Sequence, residues 1–279
     1  MTILSMASLT LHEMVRRRLI LVAAILTVLV AFLTGFAFHA LATKLYHGQP
    51  LPHVQVLAIA AQLLTLVAYM FSLIFALGGA FVAAPALAGD VDTGLLLPIL
   101  TRPIRRVDVV LGKFLGLGIF LSVYAFACGL LEFAVVRATT GYWPPHPFVA
   151  LGYLCGVAIV MVAVTLLFAS RLSMVASGVA AVVLYGLAWI VGVASDIGAT
   201  AHIQAMINAG TISQLILPSD AFWRTAVYHL EPAALIAGLH GNAPFMVATP
   251  PPLAMVVWSF GWIVVVVAAA CWSFASRDF

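Results

Sequence analysis

Charge is scarce in this sequence. Of 279 residues, 12 are Lys or Arg and 9 are Asp or Glu, while 65% are hydrophobic. Soluble domains carry about a quarter of their residues as charges, so a water-soluble fold is excluded. Cysteine is rarer still. Cys128, Cys155 and Cys271 each fall inside an apolar run, which argues against a disulfide framework or a zinc knuckle. Catalytic motifs are equally thin. His12-Glu13 opens like a zinc-protease pair, but Arg16 stands where the second histidine belongs. Gly112-Lys113 is followed by Phe114, and Val107 occupies the position of the first glycine of a phosphate loop, so ATP is not bound by that route.

What remains is a chain of apolar runs long enough to cross a bilayer, each needing about 20 residues. The runs predict an all-α polytopic membrane protein forming one transmembrane domain over residues 1–279, with six spans near 19–41, 55–88, 114–136, 148–169, 174–194 and 253–274. An amphipathic helix precedes the first span, with Leu4, Ala7, Leu11 and Met14 on one face and Arg16, Arg17 and Arg18 at its end. It is expected to lie along the membrane surface. Glu132 falls about one turn from Arg137, which suggests an interfacial anchor. Tyr142, Trp143, Pro144, Pro145 and Pro147 make a rigid turn at headgroup level. Segment 195–252 is too polar and proline-broken to span. It reads as short outer helices, with Phe222, Trp223, Val227, Tyr228 and Leu230 lying in the interface.

One polar island interrupts this oil. Seven charged residues, Asp90, Asp92, Arg102, Arg105, Arg106, Asp108 and Lys113, crowd into 89–113. Short loops rich in Lys and Arg stay on the cytoplasmic side. With both termini inside, nine basic residues fall in cytoplasmic segments, and Lys44, Arg137 and Arg224 fall outside. Within the second span Gln62, Thr65, Tyr69 and Ser72 recur at spacings of three, four and three, on one helical face. Such a stripe faces either a water-filled path or neighbouring helices through hydrogen bonds, and both readings stay open. Seven of eight histidines, among them His146, His202, His229 and His240, are placed at or near the outer face. An outer copper or zinc site is therefore conceivable, although no pair shows ligand spacing on a predicted helix.

The island also has a readable motif. Asp92-Thr93-Gly94-Leu95-Leu96-Leu97, then Leu100-Thr101-Arg102-Pro103-Ile104-Arg105-Arg106, then Val110-Leu111-Gly112-Lys113-Phe114 resembles the cytoplasmic loop of bacterial ABC type-2 transporter permeases, including those of copper-enzyme maturation systems. Leu217 to Arg224 and the terminal Phe274 to Phe279 are similar to the same group. Thr93-Gly94 inverts the usual order, and Arg105 replaces a common Ser or Thr cap, leaving Asp108 to serve the helix dipole.

The resemblance implies a permease subunit of an exporter in the bacterial inner membrane, working as a homodimer with two copies of a separate ABC ATPase. ATP and Mg would bind the ATPase, with no cofactor on this chain and no nucleic-acid partner. It further implies that Thr93, Gly94, Leu95, Leu96, Arg102, Pro103, Arg105, Arg106 and Lys113 couple to that ATPase, by a leucine wedge and an arginine grip. Gln62, Thr65, Tyr69, Ser72, Ser177 and Tyr185 become candidates for the translocation path of an unidentified cargo. Two readings compete: a membrane-embedded enzyme acting on lipid or peptide, with Glu132 and an outer histidine as acid and base, and a non-transporting anchor or sensor subunit.

Overall fold

A computed structural model describes residues 3–16, 18–43, 45–46, 49–50, 52–92, 105–231 and 251–277. The helices are α1 (Ile3–Arg16), α2 (Arg18–Ala42), α3 (His53–Ala84), α4 (Arg106–Thr140), α5 (Pro147–Ala169), α6 (Met174–Thr200), α7 (Gln204–Ile216), α8 (Ser219–Leu230) and α9 (Leu253–Ala275). A two-residue antiparallel ladder joins Leu45–Tyr46 to Gln49–Pro50 between α2 and α3. Among the described residues six helices are long and apolar enough to cross a membrane: α2 from Ala23, α3 with its continuation to Asp92, and α4, α5, α6 and α9. The fold is the expected all-α, six-span architecture.

Two helices outrun their apolar sequence. At α3 the chain passes through a π-turn, Pro85–Gly89, and a last α-turn, Asp90–Asp92. Pro85 has no N–H and its ring crowds the carbonyl four residues back, so the helix widens there rather than stopping. Helix α4 begins at Arg106, eight residues before the span expected at 114. Arg106, Asp108 and Lys113 are thus helical, and only 93–105 separates the two helices. Charges at headgroup depth end an apolar run without ending a helix. At 1.5 Å per residue, α4 measures about 50 Å against a hydrocarbon core of about 30 Å.

Helix α5 is the centre of the bundle, its span by far the most buried of the six. It is packed by α3, α4, α6, α8 and α9. Around it, close helix approach depends on a few glycines. A Cβ on Gly112 would meet Met6 Cβ at 2.4 Å, and one on Gly116 would meet Ala7 O and Thr10 Cβ at 2.8 Å. The apolar side of α1, with Met6, Ala7 and Met14 buried, is accordingly docked across α4, whereas Leu4 is exposed.

The segment after α6 departs most from expectation. Helix α6 runs on to Thr200, and after His202, at φ 56°, α7 folds back antiparallel along it. Gly210 gives way to Ser195, and Gly198 to Met206. The chain turns at buried Leu217 and Pro218, and α8 climbs back out through the protein. Ala221, Phe222, Trp223, Ala226, Val227 and Leu230 are all buried, against α5, α3 and α9. Thus α8 does not lie in the interface. The same aromatic periodicity that suits headgroups is here met by other helices. Gly156 receives Phe222, whose ring carbons would sit 2.5 to 2.8 Å from a Cβ there. Gly156 is nine residues along α5 from Pro147, so the hairpin of α7 and α8 reaches about 14 Å below the helix end. Backbone that enters a bilayer without crossing it must be buried in protein, and α8 meets that condition.

Candidate functional site

At the end of the bundle that carries 93–105, ion pairs and caps tie four helices together. The Lys113 ammonium is 4% exposed and donates to the Asp90 carboxylate and the Ala86 carbonyl. Ala86 lies in the π-turn, so Lys113 adds a side-chain donor where the helical hydrogen bonding changes register. Asp92 Oδ2 accepts from the Met174 amide at 3.2 Å, placing a carboxylate at the N-terminus of α6, where the helix dipole favours it. Arg106 Nη1 donates to the Ala275 carbonyl at 3.2 Å and to that of Arg277, a cation at the C-terminus of α9. Arg171 reaches Ser273 and Ser276 at 3.0 and 2.6 Å, and Arg277 reaches the Ser170 carbonyl at 3.2 Å.

Of the residues assigned to coupling, Thr93, Gly94, Leu95, Leu96, Arg102 and Pro103 lie outside the described residues. Arg105 is exposed at the start of α4. Lys113 and Arg106 are turned inward, and hold the stems of the segment.

The residues assigned to the path are mostly brought together, in a seam between α3, α6 and α8. Thr65, 2% exposed, donates to Glu231 Oε1 at 3.0 Å. One turn on, Tyr69 stands edge-to-face on Trp223 with ring centroids 5.2 Å apart, and 6.5 Å from Trp189. Ser72 donates within its own helix, to the Tyr69 carbonyl at 2.8 Å, and Tyr185 is buried on α6. Gln62 is half-buried on the same helix. Ser177 is fully buried and bonded within its own helix, to Met174 O at 3.0 Å. The stripe of hydroxyls in α3 therefore faces protein.

Sequence reading missed the charges that complete this seam. Arg224 bridges Asp196 Oδ1 at 2.8 Å and Asp220 Oδ2 at 2.7 Å, and Gln214 Nε2 donates to Asp220 at 2.7 Å. The guanidinium thus fastens α8 to the far end of α6, and Asp220 ties α8 to α7 through Gln214. Burial opposes the Arg224 charge, but Asp220 and Asp196 outweigh it and raise its pKa above the ordinary guanidinium value. Gly192 leaves room beside the Asp220 carboxylate, which would lie 3.4 to 3.6 Å from a Cβ there. The four-residue spacing of Asp220 and Arg224 was the available signal. Tyr142 closes the same end, donating to the Leu230 carbonyl at 2.5 Å. Burial, with Glu231 nearby, pushes its phenol above the usual range.

Two further expectations are corrected or refined. Glu132 is no interfacial anchor paired with Arg137. It is 1% exposed, accepts from Thr34 Oγ1 at 2.8 Å through Oε2, and its Oε1 is buried without a partner. Arg137 instead lies over the Trp143 ring, 5.1 Å from its centroid. Glu132 continues a polar line on α4 in which Tyr124 and Cys128 contact Thr27 at 2.7 and 3.3 Å. Among the histidines, His146 and His229 come together with ring centroids 5.8 Å apart. His229 Nδ1 donates to the Thr225 carbonyl at 2.7 Å. Among the described residues no three His, Cys, Asp or Glu side chains converge as a metal site would need.

These features, a bundle of six spans, a re-entrant helix pair and a polar segment braced by its stems, have counterparts among known sequences only at the level of family. No curated protein matches the chain. The family described as ABC-2 family transporter protein matches residues 7–279, nearly the whole length, and the chain belongs to that family as an integral, multi-pass transporter membrane component.

Proposed function

We propose that this chain is the permease half of an ATP-driven exporter of the bacterial inner membrane. Two identical copies form the path, and two ABC ATPase subunits dock on the cytoplasmic face, against 93–105. Both termini are cytoplasmic, and ATP and Mg reside on the ATPase. Supporting this orientation, the basic residues concentrate at the end of the bundle that bears 93–105.

The observation that carries the proposal is the bracing of 93–105. Its stems are tied by Lys113 to α3, by Asp92 to α6 and by Arg106 to the end of α9. A push on such a segment is delivered to three spans at once. The leucines and arginines between the stems supply the wedge and the grip, and ATPase closure supplies the push. Movement of α3 and α6, the helices of the polar seam, then opens the path between the two copies.

The enzyme reading is disfavoured by Glu132, which is hidden between α2 and α4 and engaged by Thr34. A general acid has to reach its substrate. Affinity purification of the tagged chain from gently solubilised native membranes tests the proposal. An ABC ATPase co-purifies with it, and the complex hydrolyses ATP. A preparation consistently lacking such an ATPase would overturn the proposal.

A further inference from the structure

The seam between α3, α6 and α8 combines aromatic rings with an excess of carboxylate. The rings of Trp189 and Trp223 lie with centroids 6.5 and 5.2 Å from that of Tyr69. Asp220 stands about one turn before Trp223 on α8, and Arg224 ties it to Asp196, about two turns beyond Trp189 on α6. Trp189 is 45% exposed, so much of its indole is uncovered. Trp223 is 6% exposed, and its Nε1–H is buried without an acceptor.

Charge around these rings is one-sided. Residues 195–252 contain a single Lys or Arg, Arg224, against Asp196 and Asp220. Arg224 is shared between Asp196 and Asp220. Glu231 enters the seam through Thr65, one turn of α3 from Tyr69. Packing alone does not call for this excess, since an apolar contact would hold α8 as well and leave no buried charge to balance.

We propose that this seam is a cargo-binding site for an organic cation with an apolar body. The assignment rests on the transporter reading above and gives it a substrate class. Aromatic faces carry negative potential and attract cations, tryptophan most strongly. The surplus carboxylate adds to that attraction and repels anions, in surroundings where water screens poorly. Apolar walls of α3 and α6 accept the rest of the molecule. The Trp223 N–H is left for an oxygen on the cargo.

Tetraphenylphosphonium and tetraphenylborate share a shape and differ in the sign of their charge, so the pair isolates the inference. Binding is measured by equilibrium dialysis on the purified full-length chain in zwitterionic lipid nanodiscs, with empty nanodiscs subtracted. The phosphonium binds saturably and the borate does not. Asp196→Asn and Trp189→Leu each weaken phosphonium binding about tenfold, while Asp196→Glu and Trp189→Phe keep it, showing that the fold survives. Equal binding of the borate, or unchanged binding in Asp196→Asn and Trp189→Leu, would overturn the assignment. No ATPase takes part in this measurement. A failed co-purification and a failed cation site are therefore separate outcomes.

Discussion

Lys113 on α4 and Asp90 at the end of α3 form a nearly enclosed ion pair, their side chains 5% and 18% exposed, across the two stems of the segment 93–105. The same ammonium takes the Ala86 carbonyl. A clamp of this kind fixes the distance between the stems whatever the intervening residues do.

Lys113→Met is expected to cost about 3 kcal/mol, because it removes the ammonium from the Asp90 carboxylate and the Ala86 carbonyl in a nearly enclosed site. Lys113→Met combined with Asp90→Asn costs less than the two single changes added together. Thermal unfolding of the purified chain in detergent, run as a double-mutant cycle, measures the difference. Simple additivity would show that the clamp is energetically idle.

Arg105 is exposed at the first turn of α4. Arg105→Glu therefore leaves the unfolding temperature within about 2 °C but, on the proposed docking, removes the ATPase from the purified complex, since it would set like charge against a partner's acidic group. Retention of the ATPase would relocate the docking surface. Loss of the ATPase without loss of cargo movement would favour an anchor subunit.

Gly152 and Gly156 lie one turn apart on α5 and predict opposite outcomes. Gly156→Ala drives a methyl into the Phe222 ring, loosening α8 from the bundle at a cost of about 1–3 kcal/mol. Gly152→Ala meets nothing within 4 Å and is neutral, or slightly stabilising through helix propensity. Unfolding temperatures of the two variants, side by side, test the depth assigned to α8.

Thr34→Val removes the hydroxyl that serves Glu132 and costs about 1 kcal/mol. Pairing it with Glu132→Leu restores much of that loss, because replacing both partners by apolar groups leaves nothing unsatisfied. If the pair is instead less stable than either single variant, the polar line between α2 and α4 has a different basis.

The spans were legible because a bilayer imposes one rule on composition, and every long apolar run obeyed it. Helix ends were less so. Arg106 and Lys113 look like loop residues until their partners on α9 and α3 are seen. Glu132 was assigned to Arg137 by proximity in sequence, whereas its partner, Thr34, is 98 residues away. Helix α8 shows the deeper reason. Its aromatic face has the periodicity of an interfacial helix, and periodicity reports that a face is apolar without saying what covers it. Only the reversal at Leu217 and Pro218 sends it into the bundle. The triad of Asp196, Asp220 and Arg224 depends on that reversal, so only its i,i+4 half could be read in advance.

The π-turn at Pro85–Gly89 has a consequence for how motion would pass along α3. Each residue of an α-helix turns the chain by about 100°, and a π-turn takes in one residue more than the α-helical repeat. The helix below it is out of phase with the helix above it. Thr65, Tyr69 and Ser72 keep their bearing toward α6 and α8, while Asp90 and Asp92 point at α4 and the start of α6. Smoothing the turn back to α-helix would rotate one set against the other by roughly that angle. The turn therefore works as a phase coupling, through which a twist applied to the braced stems would emerge as a rotation of the aromatic seam.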